Sequence, residues 1–471
     1  RERMTDHQVR LIAGALGTVG HHEWAPAGAG KTLAALAIAA RSASQGPIVV
    51  VTPSAVLPGW ETQTLRWTLM DPRILSGQTP HKLKAEKGAV YLIGWENLKH
   101  WRTALKTLKP RMLIYDESHY LRRPRRVRAV QQRDGSVRYD DLNNTLAAAT
   151  DLSRSIKKRL SLTASPIPGR IADLWVQLDL IEPWQWGSFF EFAQRYAGPM
   201  HNGYGWAYDG VSSAQELKTR LETVRTWISL AETHAHLPPK RREVVMLPFG
   251  QQDKPVGMKR EIQQAQSDPS TFFEALLAEA ASRKETQTCR RVTDALLSGQ
   301  KVVVFTARRR HVERLRDKLT KHLQKKCPRA DLFWGHGEVS PEERDKTRQE
   351  YMNHPGPCVL VGTGAAWGVG IDLQDTDLAL FVMLPWTPDA LIQWEGRFHR
   401  LGQKRPVLVT YLICEGTADE QVADTLLGKL DDIVEVQEEA TLTDINHALA
   451  GIDESDEGKI ALLTRISQRQ L

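Results

Sequence analysis

Cysteine is scarce in this chain: four residues in 471, at positions 289, 327, 358 and 414. They lie too far apart for metal-ligand spacing and are too few for a disulfide scaffold. Buried thiols in a reducing compartment are the expectation. Long hydrophobic runs are also missing, so no bilayer-spanning segment and no membrane partner are expected. Arg1–Arg10 carries no secretory-leader pattern, which predicts a cytoplasmic setting. There is no repeat of solenoid period, and no zinc-finger, helix-turn-helix or RNA-recognition signature. Sequence-specific readout of a nucleic acid is therefore not expected of this chain.

What is present is a basic globular composition, with a net charge of +7, 41% apolar and 25% charged residues. The length exceeds one ordinary core, so at least two domains are expected. Charge is sorted along the chain. Arg122, Arg123, Arg125, Arg126, Arg128, Arg133 and Arg138 crowd one stretch with a single acid, Asp134, whereas Asp431–Glu457 holds ten acids and no Lys or Arg. A basic balance favours a polyanionic partner.

Short apolar runs recur, among them Ile48–Thr52, Ala89–Ile93, Met112–Tyr115, Arg159–Leu162, Val302–Thr306, Cys358–Gly362 and Leu378–Leu384. Each is followed by turn residues and a helical stretch. Continuous runs of that length suit parallel strands covered on both faces. The predicted class is α/β, with two doubly wound parallel-sheet lobes and a helical insertion between them. The expected layout is a first lobe over 1–185 with a basic insertion at 122–142, then a helical insertion and brace over 186–284. A second lobe follows over 285–427, and an acidic tail over 428–471.

The sequence Ala25-Pro26-Ala27-Gly28-Ala29-Gly30-Lys31-Thr32, followed by an alanine-rich stretch, has the form of a phosphate loop. Small residues let successive N–H groups curl around phosphate oxygens, and the following helix adds its positive end. Gly28, Gly30, Lys31 and Thr32 are thus predicted to bind ATP, with the Thr32 hydroxyl on Mg²⁺. Asp116-Glu117-Ser118-His119 follows an apolar run. Asp116 is the expected second Mg²⁺ ligand, and Glu117 the group that orients and deprotonates the attacking water. Further on, the string Gln393-Trp394-Glu395-Gly396-Arg397-Phe398-His399-Arg400-Leu401-Gly402-Gln403 sets Arg397 and Arg400 three apart, on one face if helical. Guanidinium groups supplied there would stabilise charge on the transferred phosphoryl group and make hydrolysis depend on both lobes.

In these motifs and their order, from Asp6 to about Leu427, the chain resembles the Swi/Snf-type ATPases of helicase superfamily two. The resemblance implies two RecA-like lobes, an ATP-driven motor and movement along duplex DNA without unwinding. It gives Gln8 in Asp6-His7-Gln8 the role of reading adenine, and Gln393 a place in the catalytic set. Thr363, Gly370 and Asp372 fall in Thr363–Leu373, which resembles motif V. Thr52 and Thr363 become expected DNA contacts, and Gly370 and Asp372 expected nucleotide contacts. Val51-Thr52-Pro53 with Gly59-Trp60-Glu61 resembles motif Ia, Leu162–Pro166 motif III, and Leu237-Pro238-Pro239-Lys240 the brace. The chain departs from the family at Ala25, where the loop usually opens on glycine, at Ala164-Ser165, and at Trp367 and Trp394.

Double-stranded or branched DNA is the expected substrate, with the chain acting as a monomer and no protein partner indicated. In the absence of a chromatin-reading module, a bacterial or phage-infected cell is the expected setting. The alternatives are a strand-separating DNA or RNA helicase, and a catalytically silent ATP- and DNA-binding scaffold. Asp134-Gly135 predicts a hairpin turn inside the arginine-rich stretch. Arg122, Arg123, Arg125, Arg126 and Arg128 then form either a phosphate clamp or a solvated loop. The acidic tail is either a solvated helix or an autoinhibitory segment.

Overall fold

The computed structural model describes residues 4–437, except 27, 122–126, 132–136, 142–143, 202–204, 230–231, 234–236, 255–268, 307, 368–372, 386 and 400–402. The chain divides into two compact units, the body of the first over Arg1–Thr233 and that of the second over His234–Asp431. In the first, the strands are β1 (Gly20–Trp24), β2 (Ile48–Thr52), β3 (Asp71–Leu75), β4 (Ala89–Gly94), β5 (Met112–Asp116), β6 (Val127–Gln131), β7 (Val137–Asp141), β8 (Lys158–Thr163), β9 (Met200–His201), β10 (Trp206–Ala207) and β11 (Arg225–Trp227). Among the described residues seven of these build a sheet of order β11-β1-β8-β5-β2-β4-β3, parallel throughout, while β6–β7 and β9–β10 form two antiparallel pairs.

The period-two alternation of β2 explains why this sheet has two cores. Ile48 and Val50 join Met112, Ile114, Val90 and Leu92 on one face, against the helix Lys31–Ala43. Val49 and Val51 join Tyr91, Ile93, Leu113 and Tyr115 on the other, against the helices Leu98–Thr107 and Asn144–Ser155. Each fully buried aliphatic side chain contributes about 1.5–3 kcal/mol, and β2 is buried along its whole length. That burial fixes the register, because a one-residue slip would exchange the two faces.

The second unit carries β12 (Lys240–Leu247), β13 (Val302–Thr306), β14 (Asp331–Gly335), β15 (Cys358–Thr363), β16 (Leu378–Phe381) and β17 (Val407–Cys414). Their order is β12-β17-β16-β13-β15-β14, again parallel throughout. Two parallel sheets with flanking helices bear out the predicted α/β class. The four cysteines are free and buried, and burial pushes the Cys289 thiol up to about 11 and those of Cys358 and Cys414 to about 12. Among the described residues no helix is long and apolar enough to cross a membrane.

The segment 186–284 differs from the helical insertion expected of it. It includes the helices Phe189–Tyr196, Ala214–Glu222 and Pro269–Arg283, but it also gives β11 to the first sheet and β12 to the second. Both are edge strands. β12 opens on Lys240-Arg241-Arg242-Glu243, a charged run that hides a strand from any search for apolar stretches. The arginine-rich stretch does contain a hairpin, with β6 and β7 antiparallel and Arg128 opposite Asp140. Its turn and Arg122, Arg123, Arg125 and Arg126 lie outside the described residues, as does the acidic tail beyond Gln437.

β1 was not among the runs picked out above, because it reads Gly-His-His-Glu-Trp. It nonetheless lies inside the sheet, between β11 and β8, and His21, His22 and Glu23 are buried in it. Both Glu23 carboxylate oxygens and both His22 ring nitrogens lack a hydrogen-bond partner among the described residues. Burial pushes the Glu23 carboxyl up to about 8 against the pull of Lys31 and Lys158, and holds His21 down to about 4 and His22 to about 3. The folded chain therefore keeps the Glu23 proton up to about pH 8, while the unfolded chain releases it near 4.5. Stability from this group is present below the lower value and is lost as pH rises through that window. Glu23→Gln removes the titration, so the melting-temperature difference between variant and wild type should grow in the variant's favour from about pH 5 to about pH 8. Thermal melts across that range check this, and a constant difference would contradict it.

Candidate nucleotide-binding site

β1 runs through Ala25 and Pro26 into the phosphate loop, and the Ala25 N–H donates to Thr163 O at 3.1 Å. Gly28 and Gly30 adopt left-handed φ values of 84° and 78°, which only glycine accepts without strain. Gly30 is the N-terminal cap of the helix Lys31–Ala43. A Cβ on Gly30 would lie 2.1 Å from the Gln8 amide nitrogen. Glycine here is what lets Gln8 settle against the loop. Gln8 is fixed in turn by the N-terminus of its own helix, its Oε1 accepting from Thr5 N–H at 3.0 Å. Lys31 is buried, with its ammonium donating to the Ala25 and Pro26 carbonyls at 2.6 and 3.1 Å. Thr32 is half-buried in the first helical turn.

Asp116 ends β5 in the same sheet, between β8 and β2. Its Oδ2 accepts from Trp60 Nε1 at 2.7 Å and from Thr52 Oγ1 at 2.9 Å. Its Oδ1 accepts only from the Glu117 backbone N–H, at 3.1 Å, among the bonds described. Burial pushes the Asp116 carboxyl up to about 6, with the Glu117 charge adding to the rise and Trp60, Thr52 and Lys31 opposing it. Glu117 sits in the left-handed region, at φ 48° and ψ 51°, a strain of order 1–3 kcal/mol for a non-glycine residue. Its Oε2 is buried without a hydrogen-bond partner among the described residues. His119 Nδ1 lies 3.4 Å from that oxygen and 2.7 Å from Thr163 Oγ1, which also accepts from Ser165 N–H at 3.0 Å. Ser118 Oγ donates to Gln177, which donates to Pro166 O. The carboxylate turn and the segment 163–166 thus form one bonded unit.

Gln8, Gly28, Gly30, Lys31, Thr32, Asp116 and Glu117 therefore gather around the C-terminal ends of β1 and β5, where parallel sheets present ligand-binding groups. Thr52 is corrected. Expected on DNA, it is fully buried and its hydroxyl serves Asp116. The roles of Trp60 and His119 were missed because each acts on a partner about 50 residues away. The Gly59-Trp60-Glu61 resemblance marked the position and not the bond.

In the second unit Gln393 lies on the helix Pro388–Glu395, whose N-cap Thr387 accepts from Ala390 N–H. That helix ends at Glu395, and Gly396–Phe398 is a turn. The expectation that Arg397 and Arg400 share a helical face is corrected accordingly: Arg397 stands in the turn, largely buried, and Arg400 lies outside the described residues. Gly370 and Asp372 also lie outside them. Thr363 ends β15, buried, its hydroxyl accepting from Ala366 N–H at 3.2 Å, so its side chain caps the helix Gly364–Trp367 instead of facing outward. Trp367 and Trp394, unusual for the resemblance, fit against glycines: a Cβ on Gly362 would lie 1.8 Å from the Trp367 indole nitrogen, and one on Gly364 would lie 2.0 Å from the Trp394 ring.

Family comparison agrees with this geometry. The SNF2-related domain matches residues 26–302, and the helicase conserved C-terminal domain matches 287–402. The chain belongs to the SNF2-related family. With the phosphate loop and the Asp116–Glu117 pair in place, it is a SNF2-type ATPase core. It is 27% identical to the Xenopus laevis SWI/SNF-related matrix-associated actin-dependent regulator of chromatin subfamily A-like protein 1, over 89% of this chain and 42% of that protein. It is 24% identical to the Mus musculus DNA annealing helicase and endonuclease ZRANB3, over 83% of this chain and 37% of that protein. The chain thus spans less than half the length of these relatives. Among solved structures, the ATP-dependent Type ISP restriction-modification enzyme LlaBIII bound to DNA shares the fold, with a TM-score of 0.58 at 12% identity over 92% of this chain and 30% of that one. The Sulfolobus solfataricus SWI2/SNF2 ATPase core in complex with dsDNA aligns over 99% of this chain and 96% of that one, at 21% identity and a TM-score of 0.42. The expected bacterial or phage cytoplasmic setting is overturned: the subfamily A-like relatives come from frogs, cattle, nematode and fruit fly and are named as regulators of chromatin.

The seat of Asp116 makes a prediction about pH. A carboxylate must be ionised to hold a metal ion, so if Asp116 is a Mg²⁺ ligand kcat/KM for Mg·ATP should fall on the acid side near pH 6. Trp60→Phe keeps the ring and removes one donor to a charged group, an interaction of about 1.5–3 kcal/mol. The acid limb should then move up by about one to two pH units. An unmoved limb in the variant's pH–rate profile would contradict the role given to Trp60.

Proposed function

We propose that this chain is an ATP-dependent DNA translocase, coupling ATP hydrolysis to movement along, or remodelling of, double-stranded or branched DNA. The observation that carries the reading is the convergence of Lys31, Thr32, Asp116 and Glu117 at the ends of β1 and β5. A scaffold that binds without turnover needs no strained carboxylate such as Glu117, its Oε2 outside any hydrogen bond among the described residues, beside the Asp116 seat. Among the described residues no cluster of three or more His, Cys, Asp or Glu could hold a metal on its own. The residues present fit Mg²⁺ as a nucleotide-bound ion, which takes one or two protein oxygens and phosphate oxygens for the rest.

In this reading the loop N–H groups and the Lys31 ammonium bind the phosphates, Lys31 exchanging the Ala25 and Pro26 carbonyls for them. Thr32 and Asp116 are the ligands for Mg²⁺, which would supply charge neutralisation on the β- and γ-phosphates. Glu117, its Oε2 uncommitted to any hydrogen bond, orients the attacking water and takes its proton. Gln8, seated against Gly30, reads adenine. Arg397 and Arg400, with Gln393, Gly370 and Asp372, are the contribution of the second lobe to the same reaction. His119 bound to Thr163 links the carboxylate turn to 163–166, a path by which nucleotide state reaches the DNA-contacting surfaces.

Duplex or branched DNA is favoured over a strand to be unwound because a relative is named a DNA annealing helicase. Arg128 and its neighbours Arg122, Arg123, Arg125 and Arg126, on and before the β6–β7 hairpin, are proposed phosphate contacts. Such contacts give salt-dependent binding without sequence readout. The chain is proposed to act as a monomer, with the layout of two lobes, brace and acidic tail set out above.

ATPase rates measured with duplex, branched and single-stranded DNA and with RNA test the reading. Duplex and branched DNA should stimulate most, and stimulation by RNA alone would overturn it. Lys31→Ala should lower the stimulated rate by about 10²-fold or more. Glu117→Gln should bind ATP and DNA but turn over about 10²–10⁴-fold more slowly.

A further inference from the structure

Glu395 closes the helix Pro388–Glu395 and immediately precedes the turn that carries Arg397. Its side chain is 1% exposed, a position where an unpaired carboxylate is not tolerated. It is gripped by two residues of β12. Lys240 Nζ donates to Oε2 at 2.8 Å, and Arg242 donates through Nε to Oε1 at 3.0 Å and through Nη2 to Oε2 at 2.6 Å. Lys240 and Arg242 are two apart on one strand, so they reach the same face, and their side chains are only 8% and 6% exposed. The Tyr411 hydroxyl of β17 donates to Oε1 as well. The surrounding cations hold the Glu395 carboxyl well below the usual range in spite of its burial. On the other side of Arg397, the His399 Nε2 lies 2.9 Å from the carbonyl of Pro238, two residues before β12. Between these two anchors the Arg397 carbonyl accepts from Leu373 N–H at 2.9 Å and its N–H donates to Trp394 O at 3.2 Å.

The Arg397 turn is thus held from both sides by one short segment, 238–242. A buried, fully bonded ionic cluster adds little stability over apolar packing of the same volume, but it permits one geometry where apolar side chains permit several. We propose that Lys240, Arg242, Glu395 and Tyr411 are positioning residues that fix the Arg397 turn for ATP hydrolysis. The proposal rests on the function given above. Because the grip comes from the residues following Leu237-Pro238-Pro239, the orientation of Arg397 is set by the segment that enters the second unit.

The test replaces the cluster by apolar side chains, Lys240→Met, Arg242→Met, Glu395→Leu and Tyr411→Phe together, so that no charge is left buried and unpaired. Glu395→Gln alone serves as the single variant. Amide exchange and DNA-stimulated ATPase kinetics are measured on the full chain. The expected result for the fourfold variant is a preserved second sheet, faster exchange confined to about 394–399, and KM for ATP within about twofold. Its kcat should fall at least tenfold, since a displacement of about 1 Å in a catalytic group costs about 10²-fold. Arg242→Lys alone, which keeps the charge but not the fork, should retain most of the wild-type kcat. Wild-type kcat with wild-type exchange at 394–399 overturns the proposal. So does loss of exchange protection across the whole sheet, which makes the cluster a folding element. If the wild-type chain shows no DNA-stimulated turnover, the functional reading falls, and the exchange pattern alone then decides whether the cluster fixes the turn.

Discussion

A carboxylate at the end of a buried parallel strand is expensive to ionise unless donors and cations surround it, and Asp116 is in that position. Trp60 and Thr52 converge on one of its oxygens, leaving the other to a single backbone N–H among the bonds described. This one constraint organises much of the first unit. It requires β2 beside β5, so that Thr52 at the end of β2 can reach across. It requires the helix Leu57–Trp67 to turn the indole of Trp60 inward. It also requires Lys31 near enough to oppose the rise in the carboxyl's affinity for a proton. The phosphate loop and the Asp116 carboxylate are electrostatically one object, built on one sheet.

The strands legible in the sequence were those buried on both faces. β2, β5, β13 and β15 show themselves as continuous apolar runs because both of their faces are covered. The edges were hard to read for the opposite reason. β3 begins Asp-Pro-Arg, β12 begins Lys-Arg-Arg-Glu, and β11 is three half-buried residues. β1 is a separate case, since His21, His22 and Glu23 are buried without the apolar character that betrays a central strand. Only its place immediately before the phosphate loop could have revealed it.

Of the candidate nucleotide site in the first unit, the parts written in contiguous residues were legible: Gly28–Thr32 and Asp116–Glu117. The parts made by long-range bonds were not. Nothing local in Trp60 points to Asp116, or in His119 to Thr163, or in Glu395 to Arg242. Local reasoning also overran its range at Arg397, where a spacing of three suggested a helix that stops two residues short of it. In both units the chemistry is read from local strings, whereas its alignment comes from contacts across the sheet.

The central claim is that ATP hydrolysis by this chain moves it along duplex DNA. Displacement of a labelled third strand from a triplex measures this most directly, because the third strand reports passage of the protein while the duplex beneath reports any unwinding. The account predicts ATP-dependent displacement with the duplex intact. Steady ATP hydrolysis on the same DNA with the third strand left in place would contradict it.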